Sequence, residues 1–233
     1  MMRKCILGFI PFLLVTAAFA DSVTIGNPSF EEVTINESSD PITYPFPAYN
    51  LWYAQTGFYG TTISGDPTWV FGPLVDYTGF SGLAANGSAF DPATPYGSQV
   101  GFLQGGGGYF EQTLAGLTVG QEIQFTFWAR ARDSVDQVGG DLNIGLSFGS
   151  FSDVFSPTNT GGLITTPWIP ITSDNLLRFT GLYPAGITGD QSAFVDSVSA
   201  ETRSIAPVPE PTSLLLLGTG LGVLGLAAWR RRK

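Results

Sequence analysis

Residues 122–130 read Glu122-Ile123-Gln124-Phe125-Thr126-Phe127-Trp128-Ala129-Arg130. Ile123, Phe125, Phe127 and Ala129 fall on one side of a two-residue repeat; Glu122, Gln124, Thr126, Trp128 and Arg130 fall on the other. A period of two is that of a β-strand with one buried face, and aromatic residues suit a pleated surface. Working outward, Asp141 to Ser147 alternates in the same way, with Leu142, Ile144 and Leu146 on one face. Further strand candidates are Thr68 to Phe71, Gln99 to Gln104, Tyr109 to Leu114, Leu176 to Thr180 and Ala193 to Ala200. Gly, Pro, Ser, Thr and Asn fill the joints, and no long stretch repeats at 3.6 residues. Short strands at this spacing predict an all-β sandwich. Residues 36–67, rich in Pro, Tyr and Gly, read as a long, partly ordered loop region.

The two ends are of another kind. Arg3 and Lys4 precede an apolar run from Ile6 to Phe19, and Ala18-Phe19-Ala20 is a small-x-small cleavage site before Asp21. This is the pattern of a secretory signal peptide, residues 1–20. At the other end Pro209-Glu210-Pro211 is followed by an uncharged run from Thr212 to Trp229, then Arg230, Arg231, Arg232 and Lys233. As a helix the run would span about 27 Å, enough for a bilayer core, with the basic cluster held on the cytoplasmic side. Proline is not accommodated inside a regular helix, so the expected transmembrane helix, about 212–229, begins after Pro211. Gly218 and Gly222 give a GxxxG spacing, which arises easily by chance in so glycine-rich a run.

This tail, residues 205–233, resembles the PEP-CTERM sorting signal of Gram-negative bacteria, a segment also named ice-binding protein C-terminal domain. The resemblance implies an address and not ice binding. Its site residues are Pro209, Glu210, Pro211, Arg230, Arg231 and Arg232. It implies an exosortase as processing partner, as the signal-peptide pattern at the other end implies signal peptidase, and export through the inner membrane. The helix would be a transient membrane anchor before delivery to the cell surface or extracellular matrix.

Composition limits what the body between the ends, residues 21–204, can do. The single cysteine, Cys5, lies in the signal peptide, so the processed chain has no disulfide. No histidine occurs, which excludes Ser-His-Asp and Cys-His nucleophile systems and His-ligated zinc. A carboxylate pair is the hydrolytic mechanism that remains. The body holds four arginines (Arg130, Arg132, Arg178, Arg203) and no lysine against eighteen carboxylates. Such a surface repels nucleic acid, so none is expected as a partner.

A second resemblance runs through the body. Asn27-Pro28-Ser29-Phe30-Glu31 comes first, then Trp69-Val70-Phe71-Gly72 and Gly82 to Phe90. Gly97-Ser98-Gln99-Val100-Gly101-Phe102-Leu103-Gln104 and Phe110-Glu111-Gln112-Thr113-Leu114 follow. Gly116 to Gln121 and Ala193 to Val198 complete the series. This order is similar to the galactose-binding-like modules of extracellular carbohydrate-binding proteins. It implies an antiparallel two-sheet jelly-roll sandwich and fixes no ligand.

Alternation along Ala193 to Ala200 groups Phe194, Asp196 and Val198 on one face. A carboxylate on a buried face needs a partner. The module resemblance implies a structural calcium joining the first strand to the last, with Glu31 and Asp196 at the matching positions. In the competing reading Asp196 accepts backbone N–H bonds and Glu31 is solvated. Trp128 has two readings as well. Beside Gln124, Thr126 and Arg130 it is a flat aromatic able to grip a sugar ring. In the other reading, which the usual burial of Trp favours, it is a satellite core residue under a loop. Trp52, placed in the loop region, is the second carbohydrate candidate; Trp69 and Trp168 are further aromatics. Gly105 to Gly108 reads as a flexible hairpin loop and not a phosphate cradle, because a strand follows it. Asn36-Glu37-Ser38 and Asn86-Gly87-Ser88 fit glycosylation sequons that a bacterial chain usually leaves unused.

The expectation is an exported, non-catalytic surface or matrix protein with weak polysaccharide binding. The alternatives are a carboxylate-dependent glycoside hydrolase and a purely structural matrix protein with no ligand.

Overall fold

The computed structural model describes residues 20–32, 51–53, 61–62, 68–72, 79–86, 92–132, 142–186, 189, 191–205 and 219; for 51–53 and 61–62 the description is of backbone. One compact unit spans Ala20–Arg203. In the other, which takes in both chain ends, the described residues are Ser204, Ile205 and Thr219. The expected signal peptide and nearly all of the expected membrane span lie outside the described residues. Among the described residues no helix is long and apolar enough to cross a membrane.

The first seven strands are β1 (Ala20–Val23), β2 (Leu51–Tyr53), β3 (Thr61–Thr62), β4 (Val70–Gly72), β5 (Gly79–Ala85), β6 (Gln99–Gly105) and β7 (Tyr109–Thr113). The second seven are β8 (Gln121–Ala131), β9 (Asn143–Phe148), β10 (Phe151–Phe155), β11 (Gly162–Thr165), β12 (Ile169–Pro170), β13 (Leu176–Leu182) and β14 (Ser192–Ser204). They form two antiparallel sheets. The eight-stranded sheet runs β11-β8-β14-β6-β5-β2, with β1 beside β14 and β12 beside β8. The six-stranded sheet runs β10-β9-β13-β7-β4-β3. This is the expected all-β jelly-roll-like sandwich. The supposed loop region 36–67 contributes two short strands, β2 and β3.

The alternating faces meet between the sheets. Ile123, Phe125, Phe127 and Ala129 of β8 face Ile144, Leu146 and Phe148 of β9 and Leu177 and Phe179 of β13 in one core. Phe127 and Phe179 meet edge to face at 5.1 Å, and Phe110 and Phe179 lie 5.3 Å apart. Such ring pairs add about 1 kcal/mol each beyond the area they bury.

Two local expectations change. The run Gly105–Gly108 is not a hairpin, because β6 and β7 belong to different sheets. It carries the chain across the sandwich as a tight crossing held by two 2.8 Å bonds, from Gly107 N to Gly181 O and from Gly181 N to Gly108 O. A Cβ at Gly108 would stand 2.1 Å from the carbonyl oxygen of Phe80.

The second change is in β14. Ala193 and Val195 face the core, and so do Val198 and Ala200. The parity shifts by one residue at Ser197, whose φ is +50°. An extra residue in a strand is a β-bulge. Phe194 therefore packs on the outward side with Ala84, Val100, Phe102 and Trp128, while Val198 packs inward. The grouping of Phe194, Asp196 and Val198 on one face does not hold.

Candidate functional site

The bulge divides β14. Before it, Ser192–Val195 pair with β6; after it, Ala200–Arg203 pair with β1. The segment Asn27–Glu31 enters at the break. Val198 N donates to Pro28 O at 2.9 Å. Trp69 Nε1 donates to Asn27 O at 3.0 Å, Glu32 N to Asn27 Oδ1 at 3.1 Å, and Gln99 Nε2 to Phe30 O. The Phe30 ring stacks on Trp69 at 5.3 Å and meets Phe110 edge-on at 5.5 Å. Asn27 (φ +41°) and Phe30 (φ +59°) take left-handed backbone without being glycine. That costs about 1 kcal/mol or more for each residue and persists where surrounding contacts enforce it. The motif is thus a clasp that ties the first strand, the last strand and both sheets.

Glu31 closes the clasp. Its Oε1 accepts from Ser98 N at 2.6 Å and Gln99 N at 2.8 Å, and its Oε2 from Ser98 Oγ at 2.7 Å. Asn86 braces the same loop: Thr94 N donates to its Oδ1 at 3.0 Å, and its Nδ2 donates to Gly97 O at 3.2 Å.

Asp196 stands at the bulge, fully buried. Thr94 Oγ1 donates to its Oδ2, and Ser197 N to its Oδ1 at 2.6 Å. Burial pushes its carboxyl up to about 7, against the pull of those two donors, and the negative charge of Glu31 raises it further. The structure thus places the two predicted metal residues within electrostatic reach of each other. Sequence reading missed Thr94, which lies 102 residues from Asp196.

Two neighbouring carboxylates, one closed to water, leave charge that a proton or a hard cation would offset. Oxygen donors of this kind fit calcium. Among the described residues no group of three or more His, Cys, Asp or Glu stands together. Further ligands among them would therefore be neutral oxygens.

The tryptophans separate. Trp128 shares the outward face with Gln124, Thr126 and Arg130, as alternation requires, yet it is 4% exposed. It packs with Ala84, Val100, Phe102 and Phe194, and a Cβ at Gly161 would stand 2.5 Å from its ring. Arg130 fastens the cover, donating to Asn159 O at 2.6 Å and Pro92 O at 2.7 Å. The sheet is not open at Trp128. Trp69 is fully buried. Trp52 lies on β2, opposite Leu83 and not in a loop; its side chain is outside the described residues.

Trp168 differs. It precedes β12 and is half-buried. The Arg203 guanidinium lies over its ring at 4.3 Å and is held by Glu122 Oε2, 2.6 Å from both Nε and Nη2. Around it the same outward face is polar. Thr126 and Thr165 pair through their hydroxyls at 3.0 Å, Ser199 Oγ donates to Thr126 O at 3.2 Å, and Gln124 Nε2 donates to Thr166 O at 2.7 Å.

Pro209, Glu210, Pro211, Arg230, Arg231 and Arg232 lie outside the described residues. Residues 207–233 match the PEP-CTERM protein-sorting motif. No curated protein matches the chain. Several solved structures are similar at low identity. A CBM4 module is 13% identical with a TM-score of 0.35, over 77% of this chain and 99% of that one. TmCBM61, solved with β-1,4-galactotriose, is 12% identical with a TM-score of 0.34, over 52% of this chain and 80% of that one. The enzymatically active domain of bacteriophage CBA120 tailspike protein 4 is 15% identical with a TM-score of 0.40, over 57% of this chain; this chain spans 19% of that domain's length.

Proposed function

We propose that the chain is an exported, non-catalytic protein of the cell surface or extracellular matrix whose β-sandwich body binds extracellular polysaccharide. The observation that carries the export half is the PEP-CTERM sorting motif at residues 207–233, behind a body with no lysine or histidine. An exosortase is the partner this implies, with signal peptidase acting on residues 1–20. The binding half is supported by the outward face of the eight-stranded sheet, where hydroxyl and amide side chains surround a half-buried indole. Sugars offer hydroxyls and apolar C–H faces, which such a surface complements.

Calcium is part of the same reading. Glu31 and Asp196 would hold it, and it would supply the positive charge that the clasp lacks. It would lock the first strand to the last and take no part in chemistry.

One observation favours a hydrolase: a carboxyl raised to about 7 beside a second carboxylate is the pattern of an acid–base pair. Its setting argues for a structural role. Asp196 is closed to solvent, and both oxygens of Glu31 are occupied by the 98–99 backbone and hydroxyl donors.

Two measurements test the proposal. Intact mass of the chain from its native host is expected to show both ends removed. A glycan array is expected to show weak binding, with no release of reducing sugar from bound polymer. A chain that keeps both ends and stays in the cytosol would overturn the export reading. Hydrolysis of polymer would favour the enzyme.

A further inference from the structure

The outward face of the eight-stranded sheet has two halves. At one end Trp128, Phe194, Phe102, Val100 and Ala84 are buried beneath covering segments. At the other end, among the described residues, the face carries exposed side chains. Its columns are set by register: Leu163 and Thr165 of β11 stand opposite Trp128 and Thr126 of β8, and Ser22 of β1 stands opposite Glu201 of β14. Thr165, Ser199, Glu201 and Ser22 are exposed, and Leu163 is 60% exposed.

We infer that this exposed half is the polysaccharide site, with Trp168 as its platform and a neutral polymer as its ligand; the inference rests on the binding role proposed above. Two observations beyond exposure support it. The indole is held in place, because Arg203 stacks on it and is itself fixed by Glu122. A pre-fixed ring loses little freedom on binding. The charges at its edge already neutralise one another in that pair, and the other flanking groups are hydroxyls and an amide, with one carboxylate, Glu201, on the strip. Adjacent strands lie about 4.8 Å apart, so the four columns give a strip about 15 Å wide. Leu163 and Trp168 form its apolar rim on one side, and Thr126, Ser199 and Ser22 offer hydroxyls across it. A polyanion is the wrong ligand, since eighteen carboxylates against four arginines repel it. A neutral chain meets no such penalty.

The test is affinity electrophoresis of the full chain in detergent through gels containing a neutral β-glucan, a neutral galactan or the polyuronate alginate. Retardation by at least one neutral polymer is expected. Trp168→Ala and Ser199→Arg are each expected to weaken it about tenfold or more. Ser199 is an exposed strand residue, so its variant tests the site even where loss of the indole disturbs folding; thermal melts accompany both. Tyr109→Ala, on the outward face of the other sheet, is expected to bind as the parent does. Loss of binding in Tyr109→Ala with normal binding in the two site variants would overturn the placement and leave the binding role intact. Retardation by alginate alone would overturn the choice of a neutral ligand. A parent chain retarded by no polymer would overturn the binding role together with the site.

Discussion

At residue scale the clasp depends on positions that tolerate little change. Gly97 has φ +144°, and a Cβ there would stand 2.2 Å from Oε1 of Glu31. Gly97→Ala therefore strains the backbone and pushes Glu31 off its donors; a loss of about 2–4 kcal/mol is expected in urea denaturation. Asp196 sets a pH dependence whose sign follows from its raised carboxyl. Below pH about 4 the group is protonated in both folded and unfolded chains. Between about 4 and 7 the folded chain keeps the proton and the unfolded chain has lost it. Stability then falls as pH rises, by at most about 1.4 kcal/mol per pH unit, and levels off above 7. Asp196→Asn is expected to remove this slope. If calcium sits at the clasp, its addition at pH 8 raises the melting temperature of the parent and not of Asp196→Asn. Parallel pH slopes for the two proteins would show that the group does not titrate as described.

At element scale the bulge in β14 is the critical feature. Removing Ser197 would restore simple alternation along the strand. Val198 and Ala200 would keep their inward side, but the stretch after the break would be drawn one residue along, out of register with β1 and off the Pro28 carbonyl. Losing that register and the bonds that Val198 and Asp196 make at the break costs about 2–4 kcal/mol, a large share of a net stability of about 5–15 kcal/mol. Deletion of Ser197 is expected to lower the melting temperature seen by circular dichroism by about 5–15 °C, whereas Ser197→Gly stays near the parent, since glycine accepts φ +50°. The strands with clean alternation, β8, β9 and β13, were legible in the sequence. β1, β5 and the short β2, β3, β10, β11 and β12 were not predicted, because few residues and small side chains carry little periodic signal.

At the scale of the whole molecule, no disulfide staples the body, since the chain's one cysteine is Cys5; most of its buried rings share one core between the sheets, and Phe102, Trp128 and Phe194 form a second cluster outside it. Destination is a separate matter, set by the tail. Replacing Pro209, Glu210 and Pro211 together with alanine is expected to leave the body fold unchanged. The chain should then accumulate uncleaved in the membrane fraction of its native host, as read by intact mass. Release of a normally processed body from that variant would show that the tripeptide is not the processing signal.

The amino-acid order alone determined the sandwich class, through two-residue periodicity, and the PEP-CTERM tail, through a contiguous motif and hydropathy run. Both are local properties, complete within a short window. The candidate site was only partly local. Glu31 and Asp196 were visible as a pair of acidic positions in ordered motifs, and Trp128 as an aromatic among polar residues. What covers a face, and which residues meet across the fold, depends on contacts far apart in sequence. Tertiary structure therefore decided that Trp128 is roofed while Trp168 is half-buried, that Thr94 meets Asp196, and that one extra residue at Ser197 shifts which alternate residues of the last strand face the core.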